Sequence, residues 1–583
     1  MDNTKAKNRE KIDAIEAEMA RLSDAGSSMD KSSLDGPEQK GPSDSLRAVI
    51  PRGPDYVQYT EMETQGNHFQ MVSSVLSLRQ PFTKQPFFAR EWVLQFNGEL
   101  YNNECLEVND TSFIMDQLKR EIASGRTRQQ AVSTVIEMLD GEFAYVLTDT
   151  LEHKIYFGKD SVGKRSLLFE STPEKISVSS VFPHTASHAV ECKGNQVYVA
   201  DLSTYEITSF QLNSKWPQPI AGSQFTKSER QEKTILQGLH DHLQEACEKR
   251  QSTIYPLHPH SGDARIGILF SGGLDCTVLA AVIAKNFIQR NRTCLIDLLT
   301  VGFDNPRTGL SAAKSPDRVL SEQSWYELTK LFYSSGVQFR LVQIDVSYAE
   351  WLAHKQRARQ LIYPCSTEMD LSIAIAFYFA TRATNCELLE ITRDITDVSW
   401  SEFREMKEDL VTKQQSYSSC AKVLFSGLGA DELFGGYSRH ENIFHGLQED
   451  SPGSEIQARY DELAESLVHD INVIYERNLG RDDRAMSSWG KELRYPYLDR
   501  NFVKWVIGDV SPQMKVSFEW VTQRTKKGEK RAMKFDRKYI LRRLAENLGL
   551  HLASKEIKRA IQFGAKSAKM EVGQQKARGT DVL

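Results

Sequence analysis

The feature that most constrains the fold is a glycine loop between a short apolar run and an amphipathic run. Residues 266–270 read Ile-Gly-Ile-Leu-Phe, residues 271–273 read Ser-Gly-Gly, and residues 277–288 carry apolar side chains at helical spacing. A buried strand, a glycine loop and a helix start let phosphate oxygens approach main-chain N–H groups. The loop holds one acid, Asp275, and no Lys or Arg, so a divalent metal must balance the phosphate charge. The pattern predicts a site for metal-bound pyrophosphate; an ordinary glycine turn is the alternative.

A second glycine-rich loop repeats this chemistry. The apolar residues 423–425 are followed by the stretch 426–429 and then by Asp431 and Glu432. Main-chain amides beside a carboxylate can share a metal-bound polyphosphate. Two such loops on one sheet predict a site for Mg-ATP.

The region after residue 228 predicts a parallel α/β sheet. Strands alternating with helices are covered on both faces, and their ligands bind at the carboxyl ends of the strands. The predicted strands are 266–270, 294–303 and 337–346, and the predicted helices are 232–251, 277–288 and 321–333. We expect the basic run 524–531 to form a flexible loop over the ATP site.

The region from residue 51 to about 212 is richer in strands. Antiparallel strands with two helices predict an α+β sandwich. The predicted strands are 70–78, 92–96, 143–148, 154–157, 175–179 and 196–205, and the predicted helices are 110–123 and 128–140.

The first 50 residues differ from the rest. Residues 5–24 have apolar side chains at heptad spacing and predict a short helix, and residues 27–44 have the composition of a linker. A solvated helix and a helix that binds a protein partner both fit this pattern. We therefore expect an atypical extension at 1–50 and domains at 51–215 and 228–583.

Bulk composition excludes several classes of protein. The chain has 583 residues and a net charge of −5, so two or three domains are expected and general attraction to nucleic acid is not. No apolar run approaches the length of a membrane span. Eight cysteines without Cys-x-x-Cys spacing indicate neither a zinc site nor a disulfide framework, which fits a cytoplasmic location.

Six motifs in the strand-rich region resemble the class II glutamine amidotransferase domain, which has an Ntn-like fold. They are the stretches 52–55, 78–79, 96–102, 109–111, 140–144 and 158–167. The resemblance implies that Arg79 holds the α-carboxylate of glutamine and that Asp110 holds its α-amino group. It also implies that Asn97, Gly98 and Glu99 supply oxyanion donors and an acceptor. One fixed cation and one or two fixed anions suit a zwitterion.

The sequence departs from that family at the nucleophile. The family uses an N-terminal cysteine whose own α-amine serves as base. Here residue 2 is Asp, no cysteine precedes Cys105, and the first strand is not evident. As written, the glutaminase half is expected to be inactive. A different natural start and a domain that kept its shape without its chemistry are both consistent with this.

The second half resembles the synthetase domain of glutamine-dependent asparagine synthetases. The resemblance rests on residues 425–437, 490–499 and 536–542, and the loop 271–276 is similar to the PP-loop of the ATP pyrophosphatase superfamily, with Cys276 in place of its last serine. Residues 429–440 and 558–564 look closest to the divergent asparagine synthetase domain-containing proteins. With the N-terminal motifs, the resemblance covers about residues 51–570.

The resemblance implies a role for each matched position. Asp275 and Asp431 would be magnesium ligands, and Lys538 would stabilise charge on the α-phosphate and on the tetrahedral intermediate. The residues implied in contacts with adenosine are Leu269, Val301, Ser426 and Gly427, and those implied in contacts with pyrophosphate are Ser271, Gly272, Gly273 and Asp275.

Leu428 is a second departure. The family usually has glutamate there, and that carboxylate is the candidate general base for the attacking nitrogen. Leucine cannot take a proton, and loss of a general base typically costs about 10²–10⁴-fold. Adenylation can survive this change, whereas amide formation needs a substitute, for which Glu432 and Glu492 are candidates.

These observations predict an ATP- and Mg²⁺-dependent synthetase. Its expected reaction activates the β-carboxylate of aspartate as an acyl-adenylate and amidates it with nitrogen from glutamine or ammonia. Two alternatives stay open: a ligase of the same superfamily with another acceptor, and an ATP-binding pseudoenzyme that serves assembly. Neither nucleic acid nor a membrane is an expected partner.

Overall fold

The computed structural model describes residues 47–64, 66–182, 188–213, 216–220, 229–254, 263–525, 528–571 and 578–583. The predicted helix at 5–24 and linker at 27–44 lie outside these ranges. In the described chain, strands before residue 212 and strands after residue 265 never share a sheet.

The strands before residue 212 form three antiparallel sheets. Their orders are β1-β2, β11-β10-β6-β5-β4-β3 and β8-β7-β9. The strands are β1 (Tyr56–Thr64), β2 (Asn67–Val75), β3 (Phe87–Ala89), β4 (Trp92–Leu100), β5 (Gly141–Asp149), β6 (Lys154–Lys159), β7 (Leu168–Ser171), β8 (Ile176–Ser179), β9 (Val190–Glu191), β10 (Gln196–Asp201) and β11 (Ile207–Gln211), and the helices are α1 (Asp110–Ala123) and α2 (Arg128–Met138).

The six-stranded sheet is covered on both faces. Helices α1 and α2 bury their apolar residues, such as Phe113 and Val132, against Trp92 of β4. The opposite face packs against the three-stranded sheet, where the rings of Phe157 and Phe169 lie 5.4 Å apart. The predicted antiparallel strands and both predicted helices are confirmed, except that the predicted strand 196–205 ends at Asp201. The layer opposite the helices is split, because β1-β2 and β8-β7-β9 are not joined by any described strand.

The chain after residue 228 alternates strands and helices, as predicted. The strands are β12 (Ile266–Leu269), β13 (Cys294–Phe303), β14 (Val337–Val346), β15 (Cys386–Ile391), β16 (Val411–Tyr417), β17 (Val423–Phe425), β18 (Glu492–Arg494), β19 (Val516–Thr525) and β20 (Gly528–Arg537). The helices are α3 (Glu229–Ser252), α4 (Leu274–Gln289), α5 (Pro316–Phe332), α6 (Tyr348–Ile362), α7 (Glu368–Arg382), α8 (Trp400–Glu405), α9 (Lys407–Leu410), α10 (Ala430–Phe434), α11 (Ser438–Asn442), α12 (Gly453–Ile474), α13 (Gly480–Ser487), α14 (Arg500–Asp509), α15 (Pro512–Lys515), α16 (Tyr539–Asn547) and α17 (Ile561–Gly564).

The large sheet has the order β16-β15-β14-β13-β12-β17-β18. The five adjacent strands β14, β13, β12, β17 and β18 run parallel, as predicted. Ile268 of β12 lies opposite Phe425 of β17. The edge strands β15 and β16 are antiparallel, which the sequence analysis did not predict. Strand β16 is mostly exposed and polar, so it lacks the apolar signal of a buried strand.

The predicted loop at residues 524–531 is wrong. Its described residues, 524–525 and 528–531, belong to a hairpin in which β19 pairs with β20, from Val516 opposite Arg537 to Thr525 opposite Gly528. Phe518 and Phe535 pack against Tyr460 of α12, and this burial stabilises the hairpin. The hairpin ends at Arg537, and none of its described residues lines the large cavity described below.

The described residues include no helix with both the length and the apolar character needed to cross a membrane. All eight cysteines are free.

Candidate functional site

The first glycine loop leaves β12 and enters α4 at the carboxyl edge of the parallel strands. Gly272 has a φ of 75°, and a Cβ atom there would lie 2.5 Å from the carbonyl oxygen of Leu320. Ser324 Oγ donates a hydrogen bond of 2.6 Å to the carbonyl oxygen of Gly272. Only glycine fits here, because α5 presses against the loop from behind.

The second loop lies beside the first because β12 and β17 are neighbouring parallel strands. A Cβ atom on Gly427 would lie 3.1 Å from Cβ of Asp275, which shows how closely the two loops approach. Gly429 has a φ of 103° and begins the short helix α10, which carries Asp431. The topology therefore brings together two acids that are far apart in sequence.

Two lysines from the C-terminal part of the chain neutralise these acids. Lys538 Nζ lies 2.6 Å from Asp275 Oδ2 and 2.7 Å from Asp431 Oδ1. Lys558 Nζ lies 2.7 Å from Asp431 Oδ2. The cluster thus holds two carboxylates and two ammonium groups, with Lys538 at its centre.

Burial and charge act in opposite directions on these groups. Burial alone would raise the pKa of Asp431, but Lys538 and Lys558 hold it well below its usual value. Burial raises the pKa of Asp275, and Lys538 offsets only part of that rise. Burial alone would lower the pKa of Lys538, but the two acids raise it, so this lysine stays charged.

Gly436 makes room for the cluster. A Cβ atom at this position would lie 1.9 Å from Asp431 Oδ1 and 2.5 Å from Cε of Lys538. Both side chains are held in ion pairs and cannot move aside without breaking them. The Gly435-Gly436 sequence therefore has a packing role at the site.

The cluster opens into a cavity of about 750 Å³. Its lining includes these residues with an implied nucleotide role: Leu269, Ser271, Gly273, Asp275, Val301, Ser426, Gly427, Asp431 and Lys538. Gly272 does not line the cavity and acts through the shape of the loop. The structure therefore brings together the predicted residues, and we call this space the nucleotide cavity.

The acidic pair fits a magnesium ion. Carboxylate oxygens from two adjacent loops are the ligands that Mg²⁺ prefers, with phosphate oxygens and water completing its shell. Asp431 Oδ1 is buried and accepts no well-aligned hydrogen bond, although Lys538 Nζ is close. No group of three or more His, Cys, Asp or Glu side chains suited to a metal occurs in the described chain, so two protein carboxylates would serve.

Three positions matter for the glutamate that is missing at residue 428: Leu428 itself and the two candidate substitutes, Glu432 and Glu492. The structure places them in different surroundings. Leu428 and Glu432 line the nucleotide cavity. Burial, and then the charge of Asp431, raise the pKa of Glu432 to about 7, and Tyr437 donates a hydrogen bond of 2.5 Å to it. Glu492 lies outside this cavity and pairs with Arg494 at 2.8 Å. Glu492 is therefore not placed to substitute for the missing glutamate.

Several lining residues carried no clear signal in the sequence. Lys558 belongs to a C-terminal segment, residues 556–562, that lines one side of the cavity. A π-helix at Tyr475–Leu479 brings Arg477 and Asn478 to another side. The Lys-Arg pair at 558–559 stood out only within the family resemblance, because a basic pair is ordinary on a protein surface.

A second cavity, of about 350 Å³, contains the predicted glutamine-binding residues. Arg79 Nη1 donates to Asp110 Oδ1 at 2.9 Å and to the carbonyl oxygen of Cys105 at 2.7 Å. Its Nη2 donates to Glu99 and, at 2.7 Å, to the carbonyl oxygen of Leu100. Both terminal nitrogens of Arg79 are therefore already bonded within the protein.

The acids of this second site are strongly desolvated. Burial raises the pKa of Asp110 well above its usual value, and Arg79 compensates only in part. Burial likewise raises the pKa of Glu99, despite Arg494 and Arg79 nearby. Asn97 Nδ2 is buried without a hydrogen-bond partner, and Gly98, with a φ of 146°, follows it on β4. Asn97 and Gly98 thus leave a donor facing the cavity.

No residue lines both cavities, and a buried ionic network lies between them. Arg494 reaches Glu99 at 3.6 Å with its side chain, while its carbonyl oxygen accepts a hydrogen bond of 3.0 Å from Ser426 N. Arg165 lies within 3.7 Å of Glu142 and Glu492, and further ion pairs join Arg52 to Asp483 and Arg250 to Glu142. The two halves are therefore tied by buried charges.

Two family profiles match the chain. The one described as a glutamine amidotransferase domain matches residues 74–184, which include Arg79 and Asp110. The one described as asparagine synthase matches residues 410–576, which include Asp431 and Lys538. The first glycine loop, with Asp275, lies outside both matches.

Curated relatives match over most of the chain. An asparagine synthetase domain-containing protein of Saccharomyces cerevisiae is 36% identical over 92% of this chain and 90% of its own. Asparagine synthetase domain-containing protein 1 of Mus musculus is 27% identical over 92% of this chain and 95% of its own. The glutamine-hydrolyzing asparagine synthetase of Homo sapiens is 25% identical over 81% of this chain and 75% of its own.

Among solved structures, a glutamine phosphoribosylpyrophosphate amidotransferase from B. subtilis matches 32% of this chain and 43% of its own, at 16% identity and a TM-score of 0.19. The fold, the two cavities and the matched profiles define a protein of the amidotransferase and ligase class, with an amidotransferase-type region before a synthetase-type region. The chain belongs to the family of asparagine synthetase domain-containing proteins.

Proposed function

We propose that the chain is an ATP-dependent ligase that converts aspartate to asparagine through a β-aspartyl-adenylate, with glutamine or ammonia as the nitrogen donor. The observation that carries this proposal is the meeting of Asp275, Asp431 and Lys538 between two glycine loops at the carboxyl edge of a parallel sheet. Such an edge is where parallel α/β sheets bind their ligands.

In this proposal the loops position ATP and do no covalent chemistry. Main-chain N–H groups of residues 271–273 face the pyrophosphate oxygens, while Leu269, Val301 and residues 426–427 contact adenosine. Lys538 stabilises the charge that develops at the α-phosphate. Positioning and electrostatic stabilisation are the usual means of catalysing transfers at phosphorus.

The reaction has two balanced steps. An oxygen of the aspartate β-carboxylate attacks the α-phosphorus, and the bond to pyrophosphate breaks. A nitrogen nucleophile then attacks the acyl carbon, loses a proton, and displaces AMP. Asp275 and Asp431 would hold Mg²⁺, which neutralises pyrophosphate charge when bound.

The lining of the nucleotide cavity also carries charged residues outside the cluster of acids and lysines. Arg439 pairs with Asp470 at 2.7 Å, and Arg481 pairs with Asp370 at 2.8 Å. All four residues line the cavity. A lining that carries charged side chains suits a polar acceptor better than an apolar acid, although each of these cations already has a partner within the protein.

Ammonia is the donor that this chain best supports. No cysteine lines the described part of the glutamine cavity. Cys105 is buried, and burial raises the pKa of its thiol well above the usual value, so it is not an activated nucleophile. Both terminal nitrogens of Arg79 are also occupied, which leaves the α-carboxylate of glutamine without a free partner.

ATP–pyrophosphate exchange tests the adenylation step. We expect exchange that depends on aspartate and Mg²⁺ in the wild-type chain and in the exposed-site control Asp450→Asn, and we expect its loss in Asp275→Asn. Exchange with no carboxylate added, or exchange unaffected by Asp275→Asn, would contradict the proposal. Ammonium-dependent formation of asparagine, measured in parallel, tests the second step.

Leu428 favours one alternative specifically, a ligase of this class with another acceptor. A leucine in the cavity removes the acid expected beside an aspartate-derived intermediate and adds apolar surface. Exchange that is supported by another carboxylate, but not by aspartate, would select this alternative. Binding of Mg-ATP without exchange for any carboxylate tested would select a non-catalytic role.

A further inference from the structure

We infer that Gln562 recognises the base of the nucleotide, by accepting a hydrogen bond from the exocyclic amino group of adenine. This role rests on the proposed function, because it requires that the nucleotide cavity binds ATP. The family resemblance gives Gln562 no role of its own. What singles it out is a buried amide oxygen for which the described chain supplies no partner.

Gln562 is a polar side chain that the fold buries at the cavity. It lies in α17, only 6% of it is exposed, and it contributes to the lining of the nucleotide cavity. Its Oε1 atom is buried and accepts no hydrogen bond from the part of the chain that the structure describes. Buried amide oxygens in proteins are normally bonded, because the loss of their hydration is otherwise uncompensated. A ligand with a hydrogen-bond donor would supply the partner that this oxygen lacks.

Main-chain contacts place α17 at the end of β13. Phe303, the last residue of β13, donates from its N–H group to the carbonyl oxygen of Ala565 at 3.0 Å. Ala565 directly follows α17, and Val301, two residues before Phe303, lines the same cavity as Gln562. Gln562 therefore lies at the side of the cavity that Val301 forms, where the family resemblance implies contacts with adenosine.

Close packing holds the segment around Gln562 in position. A Cβ atom on Gly564 would lie 2.0 Å from Oδ1 of Asp317, at the start of α5. Arg559, earlier in the same segment, lies 3.8 Å from that carboxylate oxygen. Ala568 N donates to the main-chain carbonyl oxygen of Gln562 at 3.1 Å. The backbone of Gln562 is thus fixed, so its amide is already in place before a ligand binds.

A second polar atom without a partner lies on the same strand end. Thr300 lines the cavity beside Val301, and its Oγ1 atom is buried with no hydrogen-bond partner among the residues that the structure describes. The neighbouring lining residues Leu269 and Val301 are apolar. A mostly apolar surface with a few convergent polar groups is typical of small-molecule sites. It suits a purine, whose faces are apolar and whose edges carry donors and acceptors.

Adenine matches a glutamine amide in the pattern of its hydrogen-bonding groups. Its amino group donates, and the neighbouring ring nitrogen N7 accepts. A glutamine amide presents an acceptor and a donor side by side, and its pairing with N6 and N7 of adenine is a common contact in nucleic-acid recognition. The main-chain amides of residues 271–273 face the phosphates in the proposed site and cannot distinguish one base from another. Gln562 therefore supplies the selection for adenine.

A paired change of ligand and residue tests this role. Calorimetry on the full chain measures the binding of Mg-ATP and of Mg-purine riboside triphosphate, which lacks the amino group, with no acceptor present. We expect the wild type to bind ATP about tenfold more tightly, since one such hydrogen bond is lost with the amino group. Gln562→Met keeps the size of the side chain and removes its polar end, so the two nucleotides should bind within about threefold of each other. Gln338→Met, at an exposed position of β14, is the control and should retain the tenfold preference.

The possible outcomes separate this role from the proposed function. A preference for ATP that is present in the wild type and lost in Gln562→Met, with binding of purine riboside triphosphate retained, supports the role. Equal binding of both nucleotides by the wild type, an unchanged preference in Gln562→Met, or an equal loss of both nucleotides in that variant would overturn it, while wild-type binding of ATP would leave the proposed function standing. A wild-type chain that binds neither nucleotide would overturn both. A raised KM for aspartate in Gln562→Met, with the nucleotide preference intact, would assign the amide to the acceptor and overturn the role in base recognition.

Discussion

The nucleotide and glutamine cavities each hold a buried cation between two acids, yet they differ in how that cation is bonded. Lys538 contacts Asp275 and Asp431 beside a large open cavity. Arg79 contacts Glu99 and Asp110 and also donates to two carbonyl oxygens. A phosphate group can exchange with the partners of Lys538, whereas Arg79 is fixed by the fold around it. Under the proposed function, the same charge pattern serves a nucleotide site in one half and structural stability in the other.

The largest expected effect is a loss of stability when Arg79, which the fold holds in place, is replaced. Arg79→Met leaves Glu99 and Asp110 buried without their guanidinium, so we expect a loss of about 3–5 kcal/mol in the free energy of unfolding. Chemical denaturation measures it, and the exposed Arg120→Met should change stability by less than about 0.5 kcal/mol. A loss below about 1 kcal/mol for Arg79→Met would show that Arg79 is not held structurally.

The second effect is on activity. Lys538→Met removes the ammonium group between the two acids, so we expect aspartate-dependent ATP–pyrophosphate exchange to fall about 10²–10³-fold, as when one stabilising donor is lost. Lys534→Met, on the exposed face of β20, is the control and should retain exchange. Equal exchange in both variants would remove the distinction between the two cavities.

The third expected effect is on the pH dependence of stability. It arises from Asp483, which belongs to the buried ionic network between the two cavities. Burial would raise the pKa of Asp483, but Arg52 and Arg165 lower it to about 2 from an ordinary 3.8. The unfolded chain therefore binds more protons between these values, and this stabilisation is present above about pH 4 and lost as the pH falls towards 2. It amounts to about 2 kcal/mol.

Denaturation midpoints between pH 2 and pH 6 measure this effect. The wild type should lose stability more steeply than Asp483→Asn, and the two should converge at the acid end. Parallel curves for the two chains would show that Asp483 is not the group responsible.

The smallest expected effect is on ATP–pyrophosphate exchange when Lys558, a partly exposed lysine, is replaced. Lys558 is paired with Asp431, but its side chain is 24% exposed, so solvent screens the pair. We expect Lys558→Met to lower exchange about threefold to tenfold, well short of the loss in Lys538→Met. The exposed Lys555→Met should have no effect, and a loss as large as that of Lys538→Met would make the two lysines equal partners in the site.

Much of the site was accessible from the sequence because its parts are local. The strand, glycine loop and helix around residues 266–289 are encoded by spacing within one window, as are the second loop and Asp431. The motif around Lys538 was identified through resemblance, and its convergence with the two acids follows from parallel strands that share an edge.

Other features depended on contacts between distant segments. The polar strand β16, the hairpin at 516–537 and the split second layer have no local signature, since each is stabilised by neighbours far away in sequence. The Arg494 contact with Glu99 joins residues almost 400 positions apart.

The sequence by itself determined which residue types were available for a nucleotide site and which elements would carry them, because helix and strand periodicity is a property of short segments. Only the tertiary structure decided which acid meets which cation and how freely each can exchange partners. The reason is that burial sets the strength of an ion pair, and burial belongs to the packed chain rather than to any stretch of it.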